Sequence, residues 1–156
     1  MDPFVTKAQA GEAVKVARVR AGKTWADLAA AIDRPAPWTV SALLGQHPMS
    51  VEQAQTIGEV LGLDAEVVEA LQAQPTRTGL GDDAADPTIY RFSEAIAVYG
   101  PAIKELIHEE FGDGIMSAIN FNVDVQRRAD PDGDRVVVTF DGKFLDYKWW
   151  RPGPLP

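Results

Sequence analysis

The chain has 156 residues, a net charge of −8 and 46% apolar residues. That apolar content supports a self-contained hydrophobic core, in one ordinary domain or two small ones. The sequence has no cysteine, which excludes disulfide bonds, thiolate metal sites, iron–sulfur clusters and cysteine nucleophiles. The acidic balance argues against electrostatic binding to nucleic acid or to an anionic membrane. Because there is neither a basic, apolar leader nor an apolar run long enough to span a bilayer, we expect a soluble, cytoplasmic protein.

Five short helices are predicted in the first 75 residues. Their segments place apolar residues at helical spacing, most are followed by glycine or proline, and capping residues Thr24, Ser50 and Asp64 precede three of them. The segments are GEAVKVARVRAG, TWADLAAAID, APWTVSALLG, SVEQAQTIGEVLG and DAEVVEALQA. The pattern predicts a helical bundle over residues 1–75, in which the second and third helices resemble the helix-turn-helix of repressor-type domains.

The charge of this bundle argues against DNA binding. Between Thr24 and Pro75 there are seven acidic residues and one basic residue, Arg34. Residues 36–47, which would form the recognition helix, contain no lysine or arginine, although contacts to phosphate and guanine need such side chains. We therefore expect the bundle to serve assembly rather than DNA recognition.

Residues 76–85 are predicted to be a linker, because glycine, threonine and aspartate predominate there and no helical period is present. The second domain is predicted over residues 86–156. It begins with two expected helices, one starting at Asp86 and Pro87 and one starting at Pro101, where the helical pattern is interrupted by a Gly-Pro pair.

A β-hairpin is predicted after these helices. Beyond Ser117 the apolar period falls to two, and the turn sequence DPDGD separates two strands. A lone two-stranded hairpin is marginally stable in water, so we expect it to pair with a copy in another subunit. The predicted fold is mostly α with a small α+β part.

Three polar residues of the second domain are candidates for a site. Arg91 and Glu94 lie three residues apart on a predicted helix and can touch, either as a solvated ion pair or as part of a site. Ser117 lies in an apolar run, but a nucleophilic serine needs a histidine base, and only His47 and His108 are present. No metal-ligand spacing is present either. What remains is a serine that donates a hydrogen bond and acts with an arginine to hold a small anion.

Several segments resemble a known family. DPTIYRFSEAIAVYG, IKELIHEEFGDGIMSAINFNVDV and DRVVVTFDGKFL are similar, in order and spacing, to the C-terminal domain of cyanases, also called cyanate hydratases or lyases. SALLGQ in the helical half fits the same family. The resemblance extends from about Glu12 to Leu145.

The resemblance assigns the active site to Arg91, Glu94 and Ser117. In the family these are an arginine, a glutamate three residues later and a serine after Gly-Asp-Gly. It implies that Glu94 orients Arg91 rather than acting as a base, since a free carboxylate would repel anionic substrates. Ser93 stands where an aromatic residue is usual, and the C-terminal tail is longer than is usual in the family.

The reaction implied by the resemblance is the bicarbonate-dependent decomposition of cyanate to ammonia and carbon dioxide through carbamate. Such an enzyme removes cyanate and serves nitrogen metabolism; it needs no metal or organic cofactor, and bicarbonate is its co-substrate. The resemblance also implies a decamer of five dimers, with sites between subunits, and no nucleic-acid or membrane partner. The alternative is a catalytically inactive oligomeric interaction or regulatory protein of the helix-turn-helix type.

Overall fold

The computed structural model describes residues 5–75 and 81–147. Its elements follow in the order α1 (Lys7–Arg20), α2 (Trp25–Ala31), α3 (Ala36–Leu43), α4 (Val51–Leu61), α5 (Ala65–Gln72), a 3-10 helix (Gly81–Ala85), α6 (Pro87–Phe111), β1 (Gly114–Arg128) and β2 (Arg135–Asp146). The predicted fold class is confirmed: five short helices precede a helical and hairpin part, and the two strands pair in one sheet.

The chain divides into two units, which are described separately. The first unit comprises residues 1–77 and 123–139, and the second comprises residues 78–122 and 140–156. The domain boundaries given by the sequence stay a prediction. Half of the predicted linker, residues 76–80, and the long tail, residues 148–156, lie outside the described residues; the other half of the linker forms the 3-10 helix.

Local hydrogen bonds explain where the helices of the bundle begin. Thr6, Thr24 and Ser50 each form a capping box. In each box the hydroxyl accepts from the backbone N–H of the residue three positions later, and the side chain of that residue accepts from the backbone N–H of the capping residue. The hydrogen bond from the Thr24 backbone N–H lowers the pKa of Asp27 below its usual value. Thr24 and Ser50 are thus confirmed as caps, whereas Asp64 occupies the cap position of α5 without a side-chain hydrogen bond.

The apolar core lies entirely within the helical bundle, as far as the described residues go. Helix α2 packs on α3, α4 on α5, and α1 on α5. The core cluster consists of Ala10, Val14, Leu28, Ala42, Leu43, Met49, Ala54, Ile57, Leu61, Ala70 and Leu71. Burial of these side chains stabilises the bundle at roughly 25 cal/mol for each Å² of apolar surface removed from water.

Helix α6 is one continuous helix of 25 residues. Its predicted start is confirmed, because the Asp86 carboxylate accepts hydrogen bonds from the N–H groups of Thr88 and Ile89 at 2.8 and 3.1 Å. The predicted break at Gly100 and Pro101 is wrong. A proline inside a helix removes one hydrogen-bond donor, but the residues on both sides keep helical geometry here. No described helix, α6 included, has the length and apolar character that crossing a membrane requires.

An apolar stripe along α6 keeps the same phase on both sides of the proline. It consists of Phe92, Ile96, Tyr99, Ile103 and Leu106, which recur at alternating spacings of four and three residues. All five side chains are exposed, and no residue of α6 is buried. We call this set the α6 stripe. Its unbroken spacing favours one helix over two.

The hairpin turn forms where the sequence predicts it. The Asp130 carboxylate accepts a hydrogen bond from the Asp132 N–H at 3.1 Å, and the Asp130 carbonyl accepts one from the Gly133 N–H at 3.0 Å. Gly133 has a φ of 121°, a value that favours glycine. Strand β1 starts at Gly114, earlier than predicted, because residues 114–120 pair as a strand without alternating in polarity.

Thr39 offers a test of the packing of the bundle. Its hydroxyl is fully buried and has no hydrogen-bond partner among residues 5–75 and 81–147. An unpaired buried hydroxyl costs on the order of 1–3 kcal/mol. We therefore expect Thr39→Val to raise the free energy of unfolding by about 1 kcal/mol, and the melting temperature by about 2–4 °C, in thermal denaturation followed by circular dichroism.

Thr56→Val is the matched control for this substitution. The Thr56 hydroxyl donates a hydrogen bond to the Glu52 carbonyl at 2.9 Å, so the same change removes a group that has a partner. We expect no gain in melting temperature from Thr56→Val. A Thr39→Val protein that melts at or below the wild-type temperature would contradict the account of Thr39.

Candidate active site

Arg91 and Glu94 form an ion pair near the start of α6. One guanidinium nitrogen of Arg91 donates to a Glu94 carboxylate oxygen, as their spacing predicts. The Arg91 side chain is 73% exposed and that of Glu94 43% exposed. An exposed pair of this kind adds at most about 1 kcal/mol to stability. A cation near a helix N-terminus is also disfavoured by the helix dipole, so stability does not explain why Arg91 is there.

Ser117 is the only polar residue of the described second unit that is buried, at 6% exposure. It lies in β1, and its Oγ accepts hydrogen bonds from the backbone N–H groups of Ile119 at 3.1 Å and Asn120 at 2.9 Å. A serine hydroxyl has two acceptor positions and one proton. Both acceptor positions of Ser117 are occupied, so the hydroxyl can serve a ligand only as a donor.

Contacts between the end of α6 and the end of β2 support the start of β1. The rings of Phe111 and Phe144 stack with centroids 5.2 Å apart, and the Tyr147 N–H donates to the Asp113 carbonyl at 3.1 Å. Gly114 is buried at this junction, where an added Cβ would lie 2.4 Å from the Leu145 carbonyl oxygen. These contacts fix the position at which the chain leaves α6 and enters the strand that carries Ser117.

Within one copy of the protein, the described hydrogen bonds do not bring all three candidate residues together. The Ser117 hydroxyl accepts from the backbone N–H groups of Ile119 and Asn120, and Arg91 donates to Glu94. No hydrogen bond or ion pair links the two groups in the part of the chain that the structure describes. At 1.5 Å per residue, α6 holds Glu94 about 25 Å along the helix axis from Phe111, near which β1 begins. The predicted Arg91–Glu94 contact is therefore observed, but a contact of that pair with Ser117 is not.

A cleft lies beside Ser117 on the hairpin. It has a volume of about 370 Å³ and is lined by Asn120, Phe121, Asn122, Asp141 and Lys143. Asn120 connects the cleft to Ser117, because its N–H donates to the Ser117 hydroxyl. Asp141 and Lys143 bring one charge of each sign, so their charges cancel and do not by themselves attract an anion.

His108, the histidine of the second unit, does not hydrogen-bond Ser117 in the part of the chain that the structure describes. His47 stacks on Trp38, with ring centroids 5.9 Å apart, and the ring of His108 lies 3.5 Å from the ammonium of Lys104 on α6. Within the described residues of the second unit, the Ser117 hydroxyl therefore has no histidine base. Nor does any group of three or more His, Asp or Glu side chains in residues 5–75 and 81–147 have the arrangement of a metal site.

Sequence profiles of two protein domains match the chain. The profile of the cyanate hydratase N-terminal domain matches residues 7–75, and that of the cyanate lyase C-terminal domain matches residues 83–149. The second match spans the segment in which Arg91, Glu94 and Ser117 lie.

Individual proteins resemble the chain over most of its length. A cyanate hydratase of Mycolicibacterium vanbaalenii is 62% identical over 146 residues, which cover 93% of this chain and 95% of the relative. A cyanate hydratase of Thiobacillus denitrificans is 48% identical over 94% of this chain and its own entire length. The crystal structure of cyanase from T. urticae superposes with a TM-score of 0.80 at 36% identity, covering 90% of this chain and 99% of that one. The chain therefore belongs to the cyanate hydratase family, also known as cyanases.

Proposed function

We propose that this protein catalyses the bicarbonate-dependent decomposition of cyanate to ammonia and carbon dioxide, with Arg91, Glu94 and Ser117 in the active site. The observation that carries the assignment of the site is the Ser117 hydroxyl, whose two acceptor positions are filled by backbone N–H groups. Its proton is left to donate to an anion. Membership of the cyanate hydratase family and the names of the relatives support the reaction.

The reaction joins two anions. An oxygen of bicarbonate attacks the cyanate carbon, the adduct takes up one proton, and loss of carbon dioxide leaves carbamate; carbamate then takes up a second proton and breaks into ammonia and carbon dioxide. Two unit charges 4 Å apart repel by roughly 4 kcal/mol at an effective dielectric constant of about 20. A pocket with fixed positive charge and fixed donors offsets this repulsion, because its groups need no reorganisation as the anions meet.

Arg91 supplies positive charge and a planar set of N–H donors in this proposal, and Ser117 supplies a single O–H donor. Glu94 holds the Arg91 guanidinium through the ion pair and does not act as a base. Bicarbonate is a co-substrate, and the roles given to these residues require no metal or organic cofactor. Holding both reactants in register also offsets part of the entropy lost in a two-molecule reaction.

The second unit has an exposed apolar surface that favours assembly. Among its described residues, only Gly114 and Ser117 are buried, whereas the whole α6 stripe is open to water. Fully burying one such side chain is worth roughly 1.5–3 kcal/mol. We therefore propose a homo-oligomer that covers the α6 stripe. The resemblance to cyanases implies that this oligomer is a decamer of five dimers, and we propose that it acts in the cytoplasm without a nucleic-acid or membrane partner.

The separation within one chain between the Arg91–Glu94 pair and Ser117 supports sites that lie between subunits. A second copy can bring its own α6 to the Ser117 of the first copy, which the α6 of the same chain does not contact through hydrogen bonds. Arginines from several chains can then face the two substrate anions together. A monomeric protein should accordingly be inactive.

Ammonia release from millimolar cyanate, with and without bicarbonate, tests the proposed reaction. We expect ammonia that depends on bicarbonate, and a loss of at least about a hundredfold in kcat/KM for Arg91→Ala, because one donor to developing charge is commonly worth that much. Arg20→Ala is the control, since Arg20 is an exposed residue of α1. If the intact wild-type oligomer released no ammonia, the proposed reaction would be wrong and the alternative, a catalytically inactive interaction protein, would be favoured.

Glu94→Gln tests the orienting role of Glu94. The glutamine retains an oxygen that can accept from Arg91, so we expect kcat/KM to fall by less than about tenfold and the pH–rate profile to keep its shape. Steady-state kinetics between pH 6 and 9 provide the measurement. If Glu94 acted as a general base, kcat would fall by about 10²–10⁴.

Ile103→Asp tests whether the α6 stripe is a subunit interface. Burying a carboxylate at this position would cost several kcal/mol, so we expect a smaller assembly and a parallel loss of activity. Light scattering coupled to size-exclusion chromatography gives the mass of each variant. Ile103→Val keeps the surface apolar and should remain assembled and active; an Ile103→Asp protein of unchanged mass would exclude the stripe from the interface.

A further inference from the structure

Gly142 lies in β2, close to the backbone of Ser117. A Cβ added at Gly142 would lie 2.4 Å from the Ser117 carbonyl oxygen, 2.4 Å from the Met116 Cγ and 3.0 Å from a ring carbon of Phe121. Ordinary contacts of a Cβ begin at about 3.4 Å. The space that any other residue would need is therefore already occupied, and part of it is occupied by the backbone of Ser117.

The three contacts differ in how easily they can give way. The Met116 side chain is flexible, and Phe121 can turn about its own bonds. The Ser117 carbonyl belongs to the main chain, so it can retreat only if β1 moves. Restoring an ordinary contact requires a shift of about 1 Å at Ser117. The same shift disturbs the bonds of its hydroxyl to Ile119 and Asn120, at 3.1 and 2.9 Å.

The requirement for glycine at this position comes from space and not from backbone conformation. Gly142 is not among the glycines with a positive φ, and it lies within the regular part of β2. Gly114 is also tightly packed, but its added Cβ would meet the Leu145 carbonyl and the Phe144 ring. Gly142 is thus the described glycine whose contact bears on Ser117.

We propose that Gly142 is a positioning residue for the Ser117 hydroxyl. The missing side chain lets β2 approach the Ser117 carbonyl, which keeps Oγ on the two N–H groups and its proton directed at the bound anion. This inference rests on the proposed role of Ser117 as an anion ligand. Gly142 is not one of the three candidate residues, and it does not line the cleft beside Ser117.

The first test compares Gly142→Ala with Gly100→Ala in the full-length oligomer. At Gly100 an added Cβ would have only an ordinary contact, 3.5 Å from the Ile96 Cγ2, so this substitution is the matched control. We expect kcat/KM to fall about 10- to 100-fold for Gly142→Ala, since a displacement of 1 Å can cost about a hundredfold. Gly100→Ala should retain wild-type activity. Wild-type activity in Gly142→Ala would overturn the proposal.

A double-mutant cycle separates positioning from general damage. The probe is azide, a linear anion like cyanate, whose affinity is measured by calorimetry for the wild type, Ser117→Ala, Gly142→Ala and the double variant. If Gly142 acts through Ser117, Gly142→Ala weakens azide binding about tenfold in the wild type and less than about twofold in Ser117→Ala. Equal losses in both backgrounds would overturn the proposal, because the effect would then be independent of the hydroxyl.

A second variant covers the case in which Gly142→Ala does not assemble. Met116→Ala combined with Gly142→Ala removes the flexible obstacle and leaves the clash with the Ser117 carbonyl. We expect this protein to assemble and to remain at least tenfold less active than Met116→Ala alone. Recovery to the activity of Met116→Ala would assign the effect to Met116 and overturn the proposal. A wild type that binds azide but releases no ammonia would instead contradict the proposed reaction, while the azide cycle would still test Gly142.

Discussion

The two hydrogen bonds accepted by the Ser117 hydroxyl are the constraint on which the candidate site depends. They fill both acceptor positions, so a single proton remains, and its direction follows from the backbone of residues 117–120. A serine on a flexible loop could turn to accept or donate, whereas this one is restricted to donating. That restriction suits a pocket for anions, in which an acceptor would add to the repulsion that the reaction already has to overcome.

The two units of the chain differ in how much apolar surface they bury. The helical bundle has a closed apolar core, whereas the described residues of the second unit bury no apolar side chain. Because those residues bury no apolar side chain, the second unit would gain hydrophobic stabilisation only if another surface covered it. If another copy covers the α6 stripe, the contact that stabilises the second unit would also complete the pocket. A substitution that breaks this contact would then remove folding, assembly and activity together.

The sequence predicted those features that depend on neighbouring residues. Thr24, Ser50 and Asp86 were identified as caps because capping involves residues only two or three positions away, and the Arg91–Glu94 contact follows from helical spacing alone. The sequence does not predict the continuity of α6, because a Gly-Pro pair favours a break whereas the unbroken apolar stripe favours one helix, and the structure follows the stripe. The roles of Gly142 and of the Ile119 and Asn120 N–H groups cannot be predicted from the sequence, because they depend on how closely β2 approaches β1 and on the backbone of residues 117–120. The three site residues came from the family resemblance, whereas their arrangement in space is a property of the fold.

Pro101 leaves one backbone carbonyl of α6, that of Ala97, without its usual helical donor. At 100° per residue, Ala97 and Pro101 lie on the side of the helix opposite the α6 stripe. Water can therefore reach the orphaned carbonyl while the stripe is covered, and a subunit contact along the stripe would not bury an unsatisfied acceptor. A proline four residues after Tyr99, at position 103, would place the same defect within the stripe. The missing hydrogen bond thus lies on the side of α6 that water can reach. The side that carries the α6 stripe has no unpaired carbonyl from this proline.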